Sequence, residues 1–447
     1  MITRKVHTSL PWTDAASAQA YLAGLGGHPR SRAAGDPSTR RVEAITAGLG
    51  CPNRRYPAVH ITGTNGKGST SAMTTRLFRG RGLRVGTYTS PHVRSVTERI
   101  AVNEEPVSVA HFADALGRVA WMARRVGVTP TWFEAVTAAA FVVFADAEVD
   151  VAVVEVGMLG RWDATNVVRS TVAVVTNVAL DHTDRAGPSR VHIATEKAGI
   201  VHPGAVLVLG ETDPVLVSIF AARNPRRLLR SGVDVEATRR RVTHRGSTVD
   251  LTTPWGAHRS VPVALLGRHQ CHNAALATAA AQCFLNSDLD AAVIRRALAG
   301  VRLAGRAEVI GSEPTVLVDG AHNGAAAAAL RATVDEHFPT ARRRVLVCGM
   351  SGSRDPADLL TGIGAADFDL VVATECGAPD AVSADVVAAS AHRLGIGVTV
   401  AADAESAVGA VVDSAAPEDL VVVAGSFHLV APAHAALSAR RRAGALR

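Results

Sequence analysis

Eleven residues constrain this chain more than any other stretch: His60-Ile61-Thr62-Gly63-Thr64-Asn65-Gly66-Lys67-Gly68-Ser69-Thr70. An apolar run, Ala58 to Ile61, leads in, and a helix-compatible segment, Ser71 to Gly80, leads out. Strand, tight loop and helix start in that order make a phosphate cradle. Glycines let the backbone approach the phosphate chain, and free N–H groups at the helix N-terminus point at it. Lys67 adds a point charge, and the hydroxyls that follow can ligate Mg²⁺. The spacing departs from G-x-x-x-x-G-K-[ST], because Gly68 separates Lys67 from Ser69.

A phosphate loop needs a sheet behind it, and the chain is long enough to build one. Its 447 residues, 48% hydrophobic and 19% charged, predict two or three globular domains. No apolar run reaches the roughly 18–20 residues that span a bilayer, and Met1 to Trp12 lack a signal-peptide core. The expectation is a cytoplasmic protein with no membrane partner. Five scattered cysteines without a C-x-x-C read as reduced thiols. The net charge of +7 fits an anionic substrate. With 4% aromatics there are few stacking platforms, so no nucleic-acid partner is expected.

Only three of the 47 basic residues are lysines: Lys5, Lys67 and Lys197. Lysine is a compact point charge that can lose its proton and react, which arginine cannot do. Both internal lysines fall inside motif-like stretches.

In chain order, helices are expected over Ala15 to Leu25 and Thr39 to Leu49, with a Gly/Pro/Ser-rich loop from Gly26 to Pro37 between them. Strands are expected at Leu83 to Tyr88, Val149 to Val154, Thr171 to Val175 and Ala205 to Leu209, and helices at Val109 to Val126 and Phe133 to Ala145. Lys197 is expected one turn into a further helix. This alternation implies a parallel sheet covered by helices, with the ligand outside the carboxyl ends of the strands. The polar motifs sit at those ends: after Ile61, after Tyr88, after Val154 and near Asn177. Residues 231–262 read as a small antiparallel insert, and Gly267-Arg268-His269-Gln270 opens an alanine-rich helix through Ala281. Val301 to Ala307 is the best boundary, giving units of residues 1–302 and 303–447. The second alternates strands Thr315 to Val318, Val345 to Cys348, Asp369 to Thr374, Gly397 to Val400 and Leu420 to Val423 with helices. It reads as a smaller Rossmann-like domain, with Asp319-Gly320-Ala321-His322-Asn323 in place of G-x-G-x-x-G.

Glu155, His182 and Ser90 should emerge at one sheet edge, where carboxylate, imidazole and hydroxyl can hold Mg²⁺ with waters and phosphate oxygens. Arg161 and Asp163 suit an anionic substrate or a loop-orienting role.

Together these motifs resemble the folylpolyglutamate synthase/dihydrofolate synthase branch of the Mur ligase superfamily. The matching pieces are Thr62 to Ser69, Ser90-Pro91-His92 with Glu98-Arg99-Ile100, Phe133-Glu134, Glu155-Val156-Gly157 through Asp163-Ala164-Thr165-Asn166, and Leu180-Asp181-His182-Thr183-Asp184. They continue with Glu196-Lys197-Ala198-Gly199-Ile200, His269-Gln270 with Asn273, Gly305-Arg306, and Asp319 to Asn323, covering about residues 40 to 325 in the family's order.

The resemblance implies an α/β fold: a Mur-ligase-like central parallel-sheet domain of P-loop type, followed by the smaller C-terminal domain closing over ATP. It implies an ATP-dependent amide ligase that adds L-glutamate to a folate or dihydropteroate carboxylate through an acyl phosphate. Gly63, Thr64, Asn65, Gly66, Lys67, Gly68 and Ser69 would bind ATP, joined by Asn273, Arg306, Asp319 and His322. Ser69, Ser90, Glu155 and His182 would serve two Mg²⁺ ions. Lys197 matches a carbamylated lysine, and Lys67, Glu155, His182 and Lys197 would be the catalytic set. Trp132, Phe133, Glu134, Gly160, Arg161, Trp162 and Asp163 fall where the pterin-bearing substrate would lie. A monomer is implied.

Four places depart from the family pattern. Leu159 stands for a glycine and Gly324 for a proline. Ser353-Arg354-Asp355 stands for Asp-Lys-Asp, and Gly425-Ser426-Phe427-His428 lacks the usual tyrosine. Alternatives within the family are a divergent paralogue acting on another carboxylate and a non-catalytic nucleotide-binding paralogue. A cell-wall Mur ligase needs a larger domain before the loop than about sixty residues. A P-loop kinase fits neither Gly68 nor the second alternating domain.

Overall fold

The computed structural model describes residues 15–25, 38–243, 245–352 and 354–442. The loop expected from Gly26 to Pro37, the segment Met1 to Trp12, and Lys5 and Ser353 lie outside the described residues. Eight strands form the first sheet: β1 (Ala58–Thr62), β2 (Val85–Tyr88), β3 (Ile100–Val102), β4 (Glu105–Pro106), β5 (Val151–Glu155), β6 (Ser170–Val175), β7 (Val206–Leu209) and β8 (Arg227–Arg230). Their order is β4-β3-β2-β5-β1-β6-β7-β8, parallel except for β3 and β4. β1, β5 and β7 are buried along their whole length, as a parallel sheet covered on both faces requires. Each fully buried Val or Ile there contributes about 2 kcal/mol by leaving water.

The register levels the carboxyl ends. Ile61 pairs with Glu155, Thr62 with Val175, and Tyr88 with Val154. From β1 the chain runs outward on one side through β2, β3 and β4, returns to β5 beside β1, then crosses to the other side through β6, β7 and β8. The crevice where it reverses lies beside β1, the usual ligand position in such sheets.

The insert is the sheet β9 (Glu236–Thr243), β10 (Gly246–Thr253) and β11 (Gly256–Val263). The alanine-rich helix, Arg268–Leu285, packs on helix Lys67–Gly80, and Phe78 meets Phe284 edge to face at 4.9 Å between centroids. The last sheet holds β12 (Glu308–Ser312), β13 (Thr315–Val318), β14 (Arg344–Cys348), β15 (Leu370–Ala373), β16 (Val398–Val400) and β17 (Leu420–Ala424), ordered β12-β13-β17-β14-β15-β16. All are parallel but β12.

Two local expectations need correction. The helix after the loop begins at Lys67, not Ser71, because Gly66 (φ 84°) turns the chain into it. Lys197 is the last residue of helix Arg190–Lys197, not one turn inside it. Strands β8 and β12 carry mixed polar sequence at sheet edges and gave no periodic signal.

Candidate active site

The loop between β1 and helix Lys67–Gly80 is clamped by the end of β6. Thr64 N–H donates to Asn177 O (3.1 Å), Asn65 N–H to Asn177 Oδ1 (3.1 Å), and Thr176 Oγ1 to Asn65 O (2.6 Å). Two glycines are sterically required. A Cβ on Gly63 would lie 1.8 Å from Thr176 Oγ1, and one on Gly66 would lie 2.8 Å from Asn273 Oδ1. Gly68 is the residue that breaks the usual spacing. A Cβ there would sit 3.5 Å from Glu155 Oε2, in ordinary contact, so the loop passes close beside that carboxylate.

Lys67 folds back on the loop, with Nζ donating to Gly63 O and Thr64 O, both at 3.1 Å. Burial lowers its ammonium from the ordinary value, opposed by Glu155 and Asp181. Burial likewise raises the Glu155 carboxyl, opposed by Lys67 and Arg306. Glu155 is 2% exposed and accepts the Ser90 N–H at 3.2 Å. The Ser69 hydroxyl, on the first turn of helix Lys67–Gly80, is fully buried with no protein partner. A buried carboxylate and an orphaned hydroxyl facing a phosphate loop fit a hard, oxygen-preferring cation. Among the described residues no three His, Cys, Asp or Glu side chains cluster tightly enough to hold a metal alone. Such an ion would therefore draw on phosphate oxygens and water, as Mg²⁺ does.

His182 sits in a left-handed backbone conformation (φ 53°) that aims it at the cavity. Burial lowers its imidazole to about 4, against the pull of Asp181, so the ring is neutral and free to ligate. Lys197 is 3% exposed, and burial, with Lys67 nearby, holds its amine well below the ordinary value.

The second sheet completes the pocket. Asp319 accepts Ala307 N–H (2.6 Å) and Ala321 N–H (2.7 Å), which fixes the turn carrying Arg306. The Arg306 guanidinium lies 4.9 Å from the centroid of Phe427. His322 Nδ1 faces Gly320 O at 2.8 Å, and Asn273 Nδ2 donates to Gln270 Oε1 at 3.1 Å.

The resulting cavity, about 1230 Å³, has a polar end and an aromatic end. Ser90, Trp132, Phe133, Glu134, Trp162 and Asp163 line it along with Thr64 to Ser69. Arg99 stacks on Trp132 at 4.8 Å, and Trp162 is 49% exposed at the wall. Glu134 is committed locally: it accepts Thr131 N–H (2.7 Å) and pairs with Arg41 (2.9 Å). Gly63, Gly160, Arg161 and Lys197 do not line the cavity. Gly160 packs on Ile200 and on the backbone of Glu196 and Lys197, and Arg161 pairs with Glu196 at 3.7 Å. Asp181 and Arg354 line it and were not among the expected site residues. Asp181 lay inside a quoted motif but was overshadowed by the neighbouring His182. Arg354 lay at a departure.

Comparison with known proteins bears on this cavity. Residues 61–281 match the Mur ligase middle domain, and residues 305–427 match the Mur ligase glutamate ligase domain. A Mycobacterium tuberculosis dihydrofolate synthase/folylpolyglutamate synthase is 37% identical over 385 residues, spanning 80% of this chain and 79% of that one. The structure of Escherichia coli FolC in complex with DHPP and ADP superposes with a TM-score of 0.85 at 31% identity, covering 97% of this chain and 100% of that one. A bifunctional folylpolyglutamate synthase/dihydrofolate synthase from Yersinia pestis, complexed with AMPPNP and Mn, gives 0.83 at 29% identity, covering 96% and 100%.

Proposed function

The chain belongs to the folylpolyglutamate synthase/dihydrofolate synthase family of Mur ligases, and from that premise we propose how its residues carry out ATP-dependent ligation of L-glutamate to a folate or dihydropteroate carboxylate. The observation that carries this reading is the close approach of the phosphate loop, at Gly68, to the buried carboxylate of Glu155.

ATP is a substrate. Gly63 to Ser69 hold its phosphates on the first turn of helix Lys67–Gly80, and Lys67 supplies a desolvated positive charge. Asn273, Arg306, Asp319 and His322 bound the rest of the nucleotide. Ser69, Ser90, Glu155 and His182 would hold Mg²⁺, which when bound neutralises phosphate charge. The acceptor carboxylate attacks the γ-phosphorus and ADP departs, leaving an acyl phosphate. The glutamate amine then attacks the acyl carbon and inorganic phosphate departs. Catalysis is positioning and charge neutralisation. Trp132, Phe133 and Trp162 offer flat apolar surface for a pterin, and Arg99 backs Trp132. Burial holds the Lys197 amine well below its ordinary value, which favours the free amine that combines with CO₂ to give a carbamate, releasing one proton. That product is a carboxylate-like group arginine could not supply. The working units are residues 1–302 and 303–447, in a cytoplasmic monomer. The five cysteines, all free, agree with a reducing compartment.

Lys67→Ala and Glu155→Ala should each lower kcat/KM by roughly a thousandfold while leaving the fold intact by circular dichroism. Near-normal turnover in both purified variants would overturn the site assignment.

A further inference from the structure

The side chains that meet between the two sheets converge on a carboxylate the reaction scheme does not use. Asp181 has a side chain 6% exposed. Its Oδ1 accepts Arg354 Nη2 at 2.8 Å and Nε at 3.2 Å. Its Oδ2 accepts Asn323 Nδ2 at 3.2 Å and lies 3.6 Å from His322 Nε2. Oδ1 also accepts the backbone N–H of His182 at 2.9 Å. One carboxylate therefore joins three residues of the C-terminal sheet's loops to the residue that would hold the metal.

Asn323 makes a second link. It exchanges hydrogen bonds with Asn65 of the phosphate loop at 3.2 and 3.3 Å, and its Oδ1 caps helix Gly324–His337 by accepting Ala326 N–H at 2.9 Å. The other end of this helix is also held. Gly267 N–H donates to His337 Nε2 (3.2 Å), His337 Nδ1 faces Thr243 O (3.0 Å), and Glu336 pairs with Arg240 and Arg268. The helix thus spans roughly 20 Å between two fixed ends. At the Asn323 end a nearly buried carboxylate depends on Arg354 for a matching charge. Separation there would strand Asp181, because a desolvated carboxylate without its cation is costly.

We infer that Asp181 is a positioning residue that couples closure of the C-terminal unit to the placement of His182. Arg354 and Asn323 are its partners, and the His337 end of the helix is the pivot. The inference rests on the ligase reading for its catalytic consequence but not for its structural one.

The test pairs kinetics with small-angle X-ray scattering on the full chain. Arg354→Gln should lower kcat/KM for ATP about thirtyfold or more, and Arg354→Lys should recover part of it. The double variant Asp181→Asn/Arg354→Gln should be no worse than the weaker single variant, since the two act through one contact. Scattering, recorded with and without Mg²⁺–ADP, should give Arg354→Gln a larger radius of gyration than the parent. An unchanged radius, or losses that simply add, overturns the inference. Because scattering needs no turnover, a parent without ligase activity would count against the function and leave this arm to decide.

Discussion

Lys197 shows how far a single residue type can be read. In a chain that uses arginine almost everywhere, a lysine that is 3% exposed suits the proposed chemistry, which needs a removable proton. The structure supplies a cause, because burial, with Lys67 nearby, holds the amine well below its ordinary value and so eases loss of that proton. A Lys197→Ala protein should be inactive and partly restored by short-chain carboxylates such as formate or acetate, measured as recovered phosphate release. Full activity without them, or no rescue at any concentration, contradicts carbamylation. Leu159 makes the opposite point. The family resemblance leads one to expect a glycine at this position, and the φ of 58° is the left-handed conformation glycine adopts freely. Its backbone carbonyl accepts Thr62 Oγ1 at 2.6 Å, so the turn is kept although the residue type has changed.

Most elements were legible because parallel strands covered on both faces read as unbroken apolar runs. β5 and β6 were placed within a residue or two for that reason. The edge strands β8 and β12 were not, because half-exposed edges carry mixed sequence. The start of helix Lys67–Gly80 was misplaced by four residues, since Gly66 and Gly68 look like loop on propensity. The candidate site divides along the same line. Residues at strand ends, Glu155 and the Thr64–Ser69 part of the loop, line the cavity as their position implied. Asp181 and Arg354 were missed because they matter through a contact between residues 173 positions apart, which no local pattern encodes.

At the scale of the molecule, several buried histidines set a pH limit. Burial draws His60 in β1 down to about 3 and His269 down to about 4. Their folded-state values lie below the unfolded one near 6.5, so the unfolded chain binds these protons first. Their contribution is complete above about pH 6.5 and is lost as pH falls toward 4. Glu155, Asp163 and Asp319, raised by burial, act in the opposite sense, so the histidine effect is best read as a difference. Between pH 7.5 and 5.5, His60 alone should cost about 1.4 kcal/mol of unfolding free energy, and a His60→Gln protein should lose that much less. Urea titrations at the two pH values measure it. Equal losses in both proteins would show that His60 is not buried neutral.

One composite cavity that couples ATP cleavage to amide formation between glutamate and a folate-type acid must release phosphate only when both co-substrates are present. The most direct measurement is phosphate release by the purified protein with Mg²⁺–ATP, run with dihydropteroate or tetrahydrofolate, with and without L-glutamate. Steady release is expected only when ATP, glutamate and one of these acids are all present, with the glutamylated product forming in equal amount. ATP turnover indifferent to both co-substrates, or no release with either acid, would contradict it.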